Sequence, residues 1–238
     1  MATPKQEFSN KAGVSTGTIR RFMNAASAGD LKAVERAIKK YPDAVNWRDI
    51  SNNTALHYAA GAGHTDTVAF LLDRGADIEA RNMDDKMWGS VTPLICAAEW
   101  EKNLETVKLL AARGANLNAQ TGQGETALMR AAQYSIYNVN KEKGEKIIRT
   151  LIALGADPSL KNVDGRTAFD IASKTAEPEA AIAIRDASAE QAALKAQQAQ
   201  DDKRRSQNAI VGAFESGLAQ PTKVLPPVQL KKEPPSPQ

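Results

Sequence analysis

Residues 54–81 read TALHYAAGAGHTDTVAFLLDRGADIEAR, and this stretch decides the fold. Thr54 suits a helix start, where its hydroxyl can cap orphan amides. Leu56, Ala59 and Ala60 follow on one short helix, and Gly63 breaks it. Val68, Leu71 and Leu72 then give a second helix an apolar face at i, i+3 and i+4. Gly75 ends that helix at a position where a left-handed residue is favoured.

The same cadence returns as TPLICAAEW at 92–100, TALMRAAQY at 126–134 and TAFDIAS at 167–173. Gly75-Ala76-Asp77 recurs as Gly114-Ala115-Asn116 and Gly155-Ala156-Asp157. A period of about 33 residues with a T-P-L-H-x-A core resembles the ankyrin repeat. The resemblance covers roughly residues 20–186, in about five units. Its first unit diverges: Phe22, Ala25, Ala26, Val34, Ala37 and Ile38 keep the spacing, but Tyr41–Asn46 replaces the Gly-Ala-Asp turn. A terminal repeat with one face towards water is expected to diverge.

The resemblance implies an all-α solenoid of stacked helix-turn-helix units with short β-hairpin fingers. Leu56, Leu94, Leu128 and Phe169 are expected to fill the core between repeats. The alanine pairs 59–60, 97–98 and 131–132 let the two helices of a unit approach closely. Thr92 lies 38 residues after Thr54, so the excess falls in Asn82–Val91 and lengthens one finger. A further insertion, roughly Ser135–Lys143, separates the helices of the fourth unit. The fifth unit starts at 162–167, with a second helix at 178–186.

Flanking segments read differently. Residues 1–17 are polar and read as a flexible lead-in. The repeat domain spans 18–186. Residues 187–207 are strong helix formers with almost no large apolar residue, so they form a polar, solvent-exposed helix or spacer. Residues 208–219 regain an apolar stripe and read as a short amphipathic helix. Residues 220–238 carry six prolines and read as a disordered tail.

Composition bounds the function. The chain has 238 residues and a net charge of +3, which does not argue for a nucleic-acid partner. One cysteine, Cys96, excludes an internal disulfide framework and fits a reducing compartment. The N-terminal stretch shows no apolar signal region, and no run approaches the roughly 18 apolar residues of a membrane span. A cytoplasmic monomer is the expectation.

Catalysis is unsupported by any residue constellation. The only histidines, His57 and His64, occupy places that are structural in the repeat pattern. Two histidines and one cysteine supply no zinc set at usual spacing. Cys96 sits where the first helix packs between repeats, so an inert thiol is expected. No phosphate-binding glycine loop or nucleophile elbow occurs. The expectation is a non-enzymatic protein-binding module with no cofactor and no metal.

Members of the family, as the resemblance implies, bind through finger tips and the concave surface of the first helices. Matching finger positions are Arg48, Ile50, Ser51, Arg81, Gln120, Gln123, Lys161, Val163 and Arg166. The long finger adds Met83, Asp84, Asp85, Lys86, Met87 and Trp88. The matching helix positions are Ala62, Glu99, Trp100, Gln133 and Tyr134. Trp88, Trp100 and Tyr134 stand out as candidate hot spots, because aromatics bury much area at low entropic cost. The alternative for Trp100 and Tyr134 is packing against the neighbouring insertions.

Ile210, Val211, Phe214 and Leu218 form a second candidate site on the C-terminal helix. Lys231, Pro234 and Pro237 give a K-x-x-P-x-x-P spacing, against which a plain solubilising tail must be weighed. Two further readings stay open. The C-terminal segment is the working ligand and the repeats its scaffold, or the chain is a regulatory subunit of an enzyme or a host-directed effector.

Overall fold

The computed structural model describes residues 14–83, 89–99, 103–137, 141–174 and 179–215, with backbone alone at 134–137, 141–144 and 211–215. The helices are α1 (Thr16–Ala28), α2 (Leu31–Lys40), α3 (Ala55–Ala62), α4 (Thr65–Asp73), α5 (Pro93–Ala98), α6 (Leu104–Ala112), α7 (Ala127–Tyr137), α8 (Lys141–Ala153), α9 (Ala168–Ala172) and α10 (Glu179–Glu215). A 3-10 turn, Pro42–Asn46, follows α2. Each odd-numbered helix packs on the next odd one, and α2, α4, α6 and α8 form the parallel row behind them. The result is an all-helical stack of four helix pairs, with α9 packed on α7 as the start of the fifth unit expected from the repeat.

Threonine capping starts the first helix of each regular unit. Thr92 accepts from the Ile95 amide at 3.4 Å, Thr126 from Met129 at 3.3 Å and Thr167 from Asp170 at 3.2 Å. Asp170 reciprocates by accepting the Thr167 amide at 2.9 Å, which closes a capping box. Those hydrogen bonds hold the carboxyl of Asp170 below its ordinary value, the Thr167 backbone contributing most. At the other end of α3, Gly63 sits in the left-handed region at φ 78°. A side chain there would also collide with Oδ1 of Asn103.

The core runs along the stack. Leu56, Leu71, Leu94, Ile95, Leu110, Leu128, Ile148 and Leu151 are fully buried. Each such side chain contributes about 1.5–3 kcal/mol through the water it leaves. Phe22, Trp47 and Tyr41 close the first unit, with Phe22 edge-on to Trp47 at 5.9 Å. Trp47 is thus buried at the end of the first unit.

Five expectations are corrected. Phe169 does not fill the core: it is 42% exposed, because no further repeat among the described residues stacks on α9. The expected β-hairpin fingers are turns where described, and no strand occurs among the described residues. The first and third fingers are closed by too few bonds for a ladder, with Asp49 N to Asn53 O at 3.0 Å and Thr121 N to Glu125 O at 2.9 Å. The insertion in unit four is taken up largely as helix, with 135–137 extending α7 and 141–143 starting α8. The lead-in 1–17 overlaps α1, which starts at Thr16 because Ser15 accepts the Thr18 amide at 3.3 Å. Boundaries at 187 and 208 are not helix ends, since α10 continues through both.

The chain divides into two compact units, one ending at Ala192 and one starting at Ala193. Within the first, Ala180, Ala183, Ile184 and Ala187 of α10 are buried and Gln191 donates to the carbonyl of Ile152. Within the second, every described side chain through Ile210 is exposed. Residues 1–13 and the tail 220–238 lie outside the described residues.

Candidate functional site

The fingers are tied to one another through main-chain carbonyls. Nη1 of Arg48 donates to the carbonyl of Arg81 at 2.9 Å. Nη1 of Arg81 donates to the carbonyl of Gln120 at 2.9 Å, and Nε2 of Gln120 to that of Lys161 at 3.0 Å. Backbone bonds reinforce the row: Met83 N to Ser51 O at 2.9 Å and Val163 N to Gln123 O at 3.0 Å. Arg48 and Arg81, read as partner contacts in the sequence, thus each commit a guanidinium nitrogen to holding the next finger. Charge-assisted bonds of this kind are the strong ones.

Three apolar side chains are exposed among the described finger residues. Ile50 is 82% exposed, Met83 53% and Val163 65%. Gln123 is half-buried beside them. Arg166 pairs with Asp164 in its own finger. Lys86, Met87, Trp88 and Trp100 lie outside the described residues, and Tyr134 is placed on α7.

On the first-helix surface, the expected residues Glu99 and Gln133 join an ion-pair group that sequence matching did not assemble. Glu99 ends α5, Arg130 and Gln133 stand on α7, and Glu125 belongs to the third finger. Arg130 bridges Glu99 at 2.8 Å and Glu125 at 2.7 Å, and Gln133 donates to Glu125 at 2.9 Å. Burial raises the Glu99 carboxyl above its ordinary value, Arg130 opposing and Glu125 adding to the rise. The group locks finger to helix.

His57 and His64 are both struts. Nδ1 of His57 accepts from the Thr54 amide at 3.1 Å, which leaves Nε2–H to donate to the carbonyl of Val91 at 3.0 Å. Burial lowers its pKa to about 4. His64 donates to the carbonyl of Ser27 at 2.9 Å. Asn103 does the same one repeat later, donating to Gly61 at 3.0 Å. Spacing alone does not single out Asn103, because it lies 11 residues after Thr92 where His64 lies 10 after Thr54. Burial pushes the Cys96 thiol up to about 12, with the Glu99 charge adding, so it is protonated at neutral pH.

Two concavities lie along this surface. A cleft of about 540 Å³ opens between α1 and the first finger, with Ile19, Met23, Tyr58 and Ile50 among its walls. A shallower one of about 400 Å³ lies between α3 and α5, bounded by His57, Tyr58, Ala62, Cys96 and Glu99. Tyr58 belongs to both. None of Ile19, Met23 and Tyr58 was singled out in the sequence. The signal was there in the i, i+4 spacing of Ile19 and Met23, but the unit read only as a cap. Among the described residues no group of three or more His, Cys, Asp or Glu could hold a metal, and no helix is long and apolar enough to cross a membrane.

The model of the ankyrin repeats, in three copies, matches residues 21–82 and 80–162. The chain belongs to the ankyrin-repeat family. Such repeats are protein–protein interaction modules and are generally non-enzymatic. Similar proteins include a transient receptor potential cation channel subfamily A member 1 homolog from Caenorhabditis elegans, 37% identical over 62% of this chain and 11% of the channel. A B-cell lymphoma 3 protein homolog from Mus musculus is 39% identical over 52% of this chain and 25% of that protein. Serine/threonine-protein kinase 12 from Arabidopsis thaliana is 40% identical over 40% of this chain and 19% of the kinase. The likeness thus covers a quarter or less of each of these three relatives.

Proposed function

We propose that the chain binds a partner protein along the row of finger tips and first helices, as a non-enzymatic adaptor or regulatory module. The observation that carries this reading is the finger row itself. Arg48, Arg81 and Gln120 fix the turns to one another, so Ile50, Met83 and Val163 are held in water by a rigid frame. Side chains ordered before a partner arrives lose little entropy on binding. Single exposed aliphatics are ordinary on protein surfaces, and three of them on braced turns support contact with a partner. An intracellular setting fits the single cysteine.

The test is a quantitative pull-down with three baits: the full chain, an Ile50→Asp/Met83→Asp variant and a chain ending at Ala192. Both substituted positions are exposed, so circular dichroism should show unchanged helix. The expected result is a partner retained by the truncated chain and lost from the double variant. The reverse result would favour a second reading, in which α10 is the ligand. That reading is supported by Leu194 and Ile210, which are 56% and 58% exposed. Val211 and Phe214 stand on the same helix, and Leu218 lies outside the described residues.

A further inference from the structure

We infer that the cleft between α1 and the first finger takes an acidic peptide segment of a partner protein, with one large apolar side chain seated between Ile19, Met23 and Ile50. This rests on the protein-binding reading above and names the kind of partner for one part of that surface.

The cleft has the size of a ligand site, which runs to about 300–1,000 Å³. Its floor is apolar: Ile19 and Met23 are buried at 4% and 3% exposure. Its lip is Ile50, 82% exposed. The lip is not free to fold away. Oδ1 of Asp49 accepts the amides of Ser51 and Asn53, both at 2.9 Å, and the Asp49 amide donates to Asn53 O at 3.0 Å. That turn holds Ile50 outward beside an apolar floor. Covering it removes apolar area from water at little ordering cost.

Charge selects the occupant. Arg20 stands on the α1 wall and Arg48 on the finger wall. The acid among the lining residues is Asp49, and its carboxylate oxygens are engaged by neutral donors. Beyond its two amide bonds, its Oδ2 accepts the Tyr58 hydroxyl at 2.6 Å. Two guanidinium groups therefore flank the apolar seat against the one carboxylate of Asp49, a formal excess of one positive charge in the lining. Arg48 is also fixed in place by its bonds to the Asn52 and Arg81 carbonyls. A segment with one large apolar residue between carboxylates complements this arrangement, and guanidinium forks suit carboxylates in particular.

The test begins with a random dodecapeptide phage library panned on the immobilised full chain. The dominant sequence is then synthesised with fluorescein and titrated by anisotropy at low and high salt. The proposal expects enriched peptides with one large apolar residue flanked by Asp or Glu. It expects binding that weakens with salt, and a loss of at least about tenfold in each of Ile50→Asp and Arg20→Glu. Both positions are exposed, and circular dichroism checks the fold of each variant. Absence of enrichment, or enrichment without acidic residues, overturns the proposal. So does unchanged affinity in both variants. If Met83→Asp weakens the peptide while those two do not, this cleft fails and the finger-row reading stands. If deleting residues 1–13 raises affinity at least about tenfold, the chain's own Glu7-Phe8 stretch is the occupant, which also overturns it.

Discussion

Nη1 of Arg81 lies 2.9 Å from the carbonyl oxygen of Gln120, which occupies the same place in the next finger. The same nitrogen lies 3.0 Å from the carbonyl of Ser90 in its own finger. One side chain thus ties the second finger to itself and to the third. Arg81→Ala should cost about 1 kcal/mol, less than the roughly 1.5–3 kcal/mol of a bond to a charged group, because Arg81 is exposed. Its clearer signature should be faster amide exchange at residues 120–125. Unchanged exchange there would show that the backbone bonds alone hold the row.

Arg130 presents the opposite case. Its side chain is 11% exposed and that of Glu125 is 6% exposed. Removing one partner of a buried pair strands the other charge. Arg130→Ala should therefore cost about 3–5 kcal/mol in urea denaturation. The double variant Arg130→Met/Glu125→Leu should be markedly less destabilised than that single variant. Equal losses in the two would mean the pair itself, not the stranded charge, dominates.

Leu128 and Phe169 occupy the same place in successive repeats but differ in burial. Leu128→Ala should cost about 2–5 kcal/mol, as for a fully buried leucine that leaves a cavity. Phe169→Ala should cost only about 1 kcal/mol, since much of its ring already meets water. Thermal or urea midpoints of the two variants check the contrast.

Protonation of His57 should weaken the fold. Its folded pKa is about 4 against an ordinary 6.5, because burial disfavours the charged ring. Between those values the unfolded chain holds more protons, so stability falls as pH falls through that window. Each unit of separation is worth about 1.4 kcal/mol, and the whole window roughly 3 kcal/mol. Glu99 acts in the other sense, since a raised carboxyl takes its proton first in the folded state. Urea midpoints at about pH 7 and about pH 4.5 should show a smaller acid loss in His57→Gln than in the unsubstituted chain.

The repeat was legible because it is written in side chains with fixed local jobs. Thr92, Thr126 and Thr167 cap, Gly63 and Gly75 turn left-handed, and Leu56 and Leu94 point inwards. The bracing of the fingers was not legible, because Arg48, Arg81 and Gln120 all reach main-chain carbonyls, which every residue possesses. Glu99 and Gln133 were picked by position as partner contacts, while the intramolecular group they join was not legible, because its other members Glu125 and Arg130 carry no pairing signal in the sequence. The cleft was missed for a similar reason. Ile19 and Met23 mark one helix face, and only the fold brings Ile50 across from them. The exposed polar helix over 187–207 was legible from its helix formers, whereas its continuity with the flanking helical segments was not, because loss of apolar residues marks a change of environment and not the end of a helix.

The most direct measurement is hydrogen–deuterium exchange of the full chain, free and with a partner retained in the pull-down. Binding along the finger row predicts slowed exchange at Ile50, Ser51 and Met83 and along α3 and α5, with 193–215 unchanged. Protection confined to α10 beyond Ala192, or to the α4 and α6 row, would contradict the account.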